Sequence, residues 1–311
     1  MNNIDILMAT YNGAKFIASQ IRSLQNQTFT DWKLLIHDDG STDGTIEILN
    51  FFCANDKRIN IINDGIQFHN CALNFMHLLK YSDATFCIFC DQDDIWLENK
   101  LQVMHDFISK KDNSKPQAVY SNSYVYDTET SKISGSASLC IPNNLKDILF
   151  MNAGIQGCAL MFNSLLRDIC CKIPNIIAMH DHVLTLGAAT FGELSYISYH
   201  LMLYRRHTAT VTGATARSLK ERIIPFFDSK KRVLDKKHYN AIQSFVETYQ
   251  NEISDSKMAL FNDFFSFEKE NRLMRIFHIF IKHYKLYGHS SILAFLSLIH
   301  ISEPTRLRCI S

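Results

Sequence analysis

The chain has 311 residues, 47% of them hydrophobic and 20% charged, a balance that builds a folded core and excludes a disordered or fibrous chain. Its 32 Lys+Arg against 31 Asp+Glu leave a net charge of +1, so no global field draws it to nucleic acid. Nine cysteines at irregular spacing, and a start with no basic-then-apolar leader, point to reduced thiols in a cytosolic protein.

Residues 4–9 read as a first strand, ending in Thr10-Tyr11-Asn12-Gly13, and Ile17, Ile21 and Leu24 then recur on one helical face. Residues 32–37 form a second strand, ending in Asp38-Asp39-Gly40-Ser41-Thr42-Asp43-Gly44-Thr45. A helix with Ile46, Leu49 and Phe52 inward follows it. A short third strand covers 59–62, and a helix runs over about 73–81. The fourth strand is the apolar run Phe86-Cys87-Ile88-Phe89-Cys90, the pattern of a strand buried on both faces. Its C-x-x-C is no dithiol or zinc pair, because in extended chain residues three apart point to opposite faces. Leu101, Met104 and Phe107 mark the helix behind it. This alternation predicts a doubly wound, largely parallel sheet.

The second half is less regular. Residues 118–126 read as one bent strand or two, 131–144 as a polar loop, and 157–162 as a strand before a helix through Leu165, Leu166 and Ile169. Met179-His180-Asp181-His182 opens an apolar helix, 183–189. Short strands at 194–197 and 201–204 precede Arg205-Arg206-His207, and 218–287 is helical with interleaved basic residues.

Three carboxylates, Asp91, Asp93 and Asp94, arrive at the carboxyl end of the fourth strand, where open α/β sheets place ligands. They repel one another and resist desolvation, so a cation is expected between them. Oxygen donors at this spacing suit Mg²⁺ or Mn²⁺, with coordination positions left for phosphate oxygens. An acidic turn capping the next helix is the plain alternative. The loops after the first two strands tell against it. Tyr11 offers a ring on which a base can stack, although Thr10 or Asn12 would serve equally as a helix cap. Asp38 and Asp39 form a second acidic loop, in which a carboxylate accepting from a ring N–H selects uracil or thymine. Two such loops beside one crevice describe a nucleotide site with a metal at its diphosphate end. No G-x-G-x-x-G follows the first strand, against a dinucleotide-binding dehydrogenase, and no P-loop or G-x-S-x-G occurs. His180-x-His182 lacks the further His or Cys that would complete a zinc site.

Ala9-Thr10-Tyr11-Asn12, Gln27-Thr28-Phe29, residues 38–45 and Asp91-Gln92-Asp93-Asp94-Ile95-Trp96 together resemble the family-two glycosyltransferases. The order Gln156-Gly157-Cys158, His180-Asp181-His182, Tyr204-Arg205-Arg206-His207 resembles their bacterial rhamnosyltransferase-like branch, and the likeness covers roughly residues 4–210. It implies an α/β, GT-A fold, Rossmann-like, with a mostly parallel central sheet flanked by helices and a helical C-terminal extension. It implies a nucleoside-diphosphate sugar donor, dTDP- or UDP-linked, and a saccharide or lipid-linked saccharide acceptor. Carried over by residue, Thr10, Tyr11, Asn12, Asp38, Asp39, Asp91, Gln92 and His207 bind the donor, and Asp93 and Asp91 hold the metal. Asp181 is the catalytic base, and Trp96, Gly157, Cys158 and His180 face the acceptor. Two positions depart from the pattern: Ala9, where relatives have Pro or Thr, and His182, where an aromatic often follows the H-D pair. The function implied is inverting, metal-dependent sugar transfer in bacterial surface polysaccharide synthesis. The other reading is a catalytically weak carbohydrate-binding or scaffolding member of such a complex.

The expected organisation is a catalytic domain over 1–215, a helical region over 216–301 and a disordered tail over 302–311. Within the helical region Arg272, Arg275, Lys282 and Lys285 accompany Ile276, Phe277, Phe280 and Ile281, and 290–301 is almost wholly apolar. That run falls short of the ~20 residues that span a bilayer. A basic amphipathic helix beside a short apolar one either lies on the inner face of the cytoplasmic membrane or packs on the catalytic domain or a partner.

Overall fold

In the computed structural model, which describes residues 3–138, 140–150, 155–206, 236–267, 269–286 and 288–299, strand β1 (Ile4–Thr10) is buried along its whole length. It lies between β2 (Trp32–Asp38) and β4 (Phe86–Cys90), both parallel to it, and β3 (Ile59–Ile61) adds in parallel to β2. The crossovers are α1 (Ile17–Gln25), α2 (Thr45–Asn55) and α3 (Cys71–Leu78). Thr10 pairs with Asp38 and Met8 with Cys90, so the loops after β1, β2 and β4 open at one edge of the sheet.

Beyond β4 the sheet turns mixed. Its order is β3-β2-β1-β4-β8-β6-β9-β5. Strand β8 (Leu160–Asn163) runs antiparallel to β4 and to β6 (Gln117–Asp127), while β9 (Glu193–Arg206) runs parallel to β6. Strand β5 (Ile95–Trp96) is antiparallel to β9. The two short strands expected at 194–204 are therefore one, bent where the register shifts between Ser121 and Asn122. Part of the expected 131–144 loop is instead an edge strand, β7 (Lys132–Ser136), paired with β6. Its exposed, small-residue pattern carries no apolar alternation to betray it. Residues Gly157–Ala159 form a 3-10 turn before β8.

Cys87 belongs to the core on one face of the sheet, with Leu7, Phe89 and Phe162; Cys90 belongs to the other, with Ile6, Met8 and Ile88. The opposite-face reading of the C-x-x-C therefore holds. The first core also takes in α5 (Leu145–Leu149), α6 (Ser164–Cys170) and α7 (His180–Phe191), and four C-terminal helices: α8 (Lys236–Tyr249), α9 (Asp255–Phe267), α10 (Arg272–Lys282) and α11 (Ser290–Ile299). The Phe150 ring is the joint, with centroids 5.2 Å from Phe264, 5.0 Å from Phe267 and 4.8 Å from Tyr284. Helix α4 (Lys100–Ile108) covers the second core. His207 and the 302–311 tail lie outside the described residues.

Candidate functional site

The first two loops are zipped together by their own polar groups. Thr10 Oγ1 donates to Asp38 Oδ2 at 2.7 Å, and Ser41 N–H donates to Asp38 Oδ1 at 2.7 Å. Asn12, held at φ 47, donates its N–H to Ser41 Oγ and accepts from Thr42 N–H, both at 2.8 Å. Asp38 and Asn12 are thus loop-shaping residues. Tyr11 stands clear at 54% exposure, its ring face open. Asp39 is buried, and its carboxylate accepts from the N–H groups of Phe68 and, at 3.1 Å, Asn70. A second lone pair on each oxygen stays available.

The acidic loop is tied to this unit by Gln92. Its Oε1 accepts from Tyr11 N–H at 3.0 Å and its Nε2 donates to Tyr11 O at 2.9 Å. Gly13 must lack a side chain here, since a Cβ would come 2.3 Å from Gln92 Oε1. Arg205 clamps the far side: its N–H donates to Asp94 Oδ1 at 3.0 Å and its Nε to Asp93 O at 2.6 Å. The Gln27 side chain staples the loop's exit, donating to Leu97 O at 2.8 Å and accepting from Leu101 N–H at 3.0 Å.

Oxygens of Asp91 and Asp94 and the sulfur of Cys158 lie within 4.8 Å of one another. Burial and the Asp93 charge push Asp91 up to about 6, and burial with both neighbours raises Asp94 well above the carboxylate range. One buried oxygen of Asp94, Oδ2, has no hydrogen-bond partner among the described residues. These are signs of a site suited to a cation. Burial and the two carboxylates push the Cys158 thiol up, so it stays protonated and serves as a donor to them, not as a thiolate ligand. The oxygen set fits a hard divalent ion, and Asp91 and Asp93 are half-buried where Asp94 is fully buried. A second group of possible metal ligands, His37, Asp64 and His77, lies behind the loop that caps Asp39. There Asp64 Oδ2 accepts from Tyr81 OH at 2.7 Å and faces His77 Nε2 at 2.6 Å.

Beneath the acids sits Lys100, fully buried, a residue that motif reasoning passed over. Its Nζ donates to Cys158 O at 2.6 Å and lies 3.8 Å from the Trp96 ring centre. Burial lowers it to about 8, while Asp94 and Asp91 act to hold its charge. The sequence did carry a signal: Lys100, Met104 and Ile108 share one buried helical face, and a cation there needs a partner.

Asp181 lies in the first turn of α7, whose N-cap is Met179. It therefore lies inside the helix and not at its cap. Burial, with Asp91 adding repulsion, pushes its carboxyl up to about 7, against the backbone N–H groups of His182 and Gly157, which favour the charged form. His180 and Trp96, expected at the acceptor, are core side chains at 4% and 2% exposure, and Cys158 is fully buried. His180 is sandwiched by Phe75 at 4.1 Å and Phe89 at 4.8 Å, and burial holds it neutral, down to about 3. Gly157 touches it: a Cβ would come 2.2 Å from His180 Nε2.

One thiol reports how these pieces converge. Cys71, the first residue of α3, is exposed at the surface, and its thiol is pushed up to about 12 by partial desolvation and then by Asp91, Asp181, Asp93 and Asp39. The two acidic loops and Asp181 thus border one space.

The family model described as Glycosyl transferase family 2 matches residues 5–170. Among curated relatives, the Escherichia coli protein named UDP-Glc:alpha-D-GlcNAc-diphosphoundecaprenol beta-1,3-glucosyltransferase WfgD is 35% identical over 113 residues, 36% of this chain and 43% of that protein. The match thus spans less than half of that relative's length. The Shigella flexneri dTDP-rhamnosyl transferase RfbG is 28% identical over 67% of this chain and 74% of its own. Among solved structures, S. aureus TarS 1-349 in complex with UDP-GlcNAc superposes with a TM-score of 0.56 at 13% identity, covering 95% of this chain and 90% of that one. This last likeness concerns the fold alone.

Proposed function

The chain belongs to glycosyl transferase family 2, and on that premise we propose that it is an inverting enzyme of bacterial surface polysaccharide synthesis. It moves a sugar from a nucleoside diphosphate to a saccharide or lipid-linked saccharide. The observation that carries this reading is Asp181, a carboxylate at the start of α7 that is raised to about 7 by burial and feels the charge of Asp91. A group titrating near neutrality accepts a proton without being locked in either state. Rhamnose from a dTDP donor is the finer assignment, supported by the likeness to the Shigella flexneri dTDP-rhamnosyl transferase.

Each part of the site has a role in that reaction. Tyr11 stacks on the base and Asp39 accepts from its ring N–H. Asp91 and Asp93 hold a Mg²⁺ or Mn²⁺ ion, which when bound would neutralise charge on the diphosphate. The acceptor hydroxyl oxygen bonds to the anomeric carbon as the bond from that carbon to the diphosphate oxygen breaks. The hydroxyl proton passes to the Asp181 carboxylate, and the diphosphate leaves with the electron pair. One displacement of this kind inverts the anomeric centre.

Transfer or slow hydrolysis of a panel of dTDP- and UDP-sugars, with Mn²⁺ or Mg²⁺ and with chelator, tests the assignment. The expected result is donor turnover that chelator stops, and that Asp93→Asn and Asp181→Asn each lower by at least about 10²-fold. Wild-type turnover in both variants would sink it.

A further inference from the structure

Helix α10 turns a wholly apolar arc to solvent. Leu273, Met274, Phe277, Phe280 and Ile281 are 78%, 44%, 55%, 51% and 53% exposed. At 3.6 residues per turn these five fall within one arc of about 120°. The opposite side carries the helix's own anchorage: Ile279 is fully buried, and Arg275 Nε donates to Phe267 O at 3.0 Å. Phe295, on the neighbouring α11, is 48% exposed. Exposed apolar side chains elsewhere, such as Phe51 on α2, stand singly, which is ordinary. A contiguous patch is not.

Cations flank the patch: Lys269, Arg272 and Lys285 are exposed at the two ends of the helix. Two acids of the region are already matched, Asp263 with Lys282 and Glu270 with His278, each at 2.8 Å. Between residues 263 and 289 fall five of the chain's 32 Lys+Arg and three of its 31 Asp+Glu.

We propose that α10 docks the enzyme on an anionic bilayer, its apolar arc in the headgroup–acyl boundary and its flanking cations among lipid phosphates. The charge selects this occupant over a second copy of the chain. A symmetric face-to-face pair would bring the two sets of cations together, whereas a phosphate surface attracts them. No described helix is long and apolar enough to cross a membrane, so the contact is one of lying on the surface. The inference adds a partner to the glycosyltransferase reading and does not depend on which donor or acceptor that reading takes.

Flotation of the full chain with phosphatidylcholine vesicles, with and without phosphatidylglycerol, tests it with no sugar substrate present. The expected result is binding to the anionic vesicles that weakens with salt. The pair Phe277→Glu/Phe280→Glu should lower it about tenfold or more, and Phe51→Glu, an equally exposed ring elsewhere, should leave it unchanged. Lys285→Glu should weaken binding by about fivefold or more. Circular dichroism and donor hydrolysis in vesicle-free buffer verify that the double variant is folded and active. Equal binding by wild type and double variant overturns the proposal. So does a concentration-dependent dimer, detected by light scattering, that the double variant abolishes and vesicles do not disperse. Loss of hydrolysis with retained flotation would instead count against the enzymatic reading alone.

Discussion

At the residue scale, Asp181 holds function and stability in opposition. Its carboxyl is raised to about 7 in the folded protein, against about 3.9 in an unfolded chain. Between those values the native state binds a proton that the unfolded state has lost, so this group's contribution to stability declines as pH rises. Activity runs the other way, because only the ionised form accepts a proton. We expect kcat/KM to climb as pH rises through about 7. Asp181→Asn should lower kcat about 10²–10⁴-fold yet raise the melting temperature at pH 8 more than at pH 5, as calorimetry at the two pH values would register. An unchanged or lowered melting temperature at pH 8 would contradict the account. The Gly157→Ala variant should lose about 10²-fold in kcat through displacement. Its Cβ would meet His180 Nε2 at 2.2 Å and disturb the turn whose N–H favours the charged form of Asp181; normal kinetics would refute this. Asp91, Asp93 and Asp181 were legible in the sequence because charged residues at strand and helix ends resist any purely apolar explanation. The burial of Trp96 and His180 was not legible, since an aromatic ring beside a motif reads the same whether it faces a ligand or the core.

At the scale of elements, the parallel half of the sheet followed directly from strand-helix alternation, and the mixed half did not. A strand buried on both faces, such as β8, shows an apolar run whichever way it points, so its antiparallel pairing with β4 and β6 left no periodic trace. What fixes that region is polar and local. Asn163 ends β8 and caps α6: its Oδ1 accepts from Gln117 N–H at 3.0 Å and Leu166 N–H at 3.2 Å, and its Nδ2 donates to Lys115 O at 2.8 Å. Asn163→Ala removes a cap worth about 1 kcal/mol and strands a buried donor at about 1–3 kcal/mol more. A loss of about 2–4 kcal/mol in urea unfolding is expected; a loss under about 0.5 kcal/mol, typical of a surface site, would be inconsistent. Lys100 on α4 joins two elements in the same way. Lys100→Met leaves Cys158 O without its donor and removes the buried charge that favours ionised Asp91. Its expected cost is about 3–5 kcal/mol, and melting within a degree of wild type would show the ammonium to be dispensable.

At the scale of the whole molecule, the sequence suggested a catalytic domain and a helical C-terminal region, a division drawn from the change in pattern near residue 216. The C-terminal helices pack into the core of the sheet: Ile242, Phe245, Tyr249, Phe261 and Phe264 share it with Leu7, Phe89 and Phe162. A chain ending at residue 235 should therefore expose apolar surface, bind a hydrophobic dye and melt without a sharp transition, whereas independent domains would leave the shorter chain cooperative. Repetition of apolar residues shows that helices exist but not what they lie against, which is why the join was invisible beforehand. The same join has a geometric consequence. Phe150 ends α5, which packs on α7, and its ring also meets Phe264, Phe267 and Tyr284 in the C-terminal helices. The helix that carries Asp181 and the helix that carries the outward apolar arc are thus parts of one rigid piece. With α10 resting on a bilayer, the height of the reaction centre above the lipid is set by the fold itself. The enzyme would then work as a ruler, choosing among lipid-linked acceptors by how far their growing ends stand off the membrane.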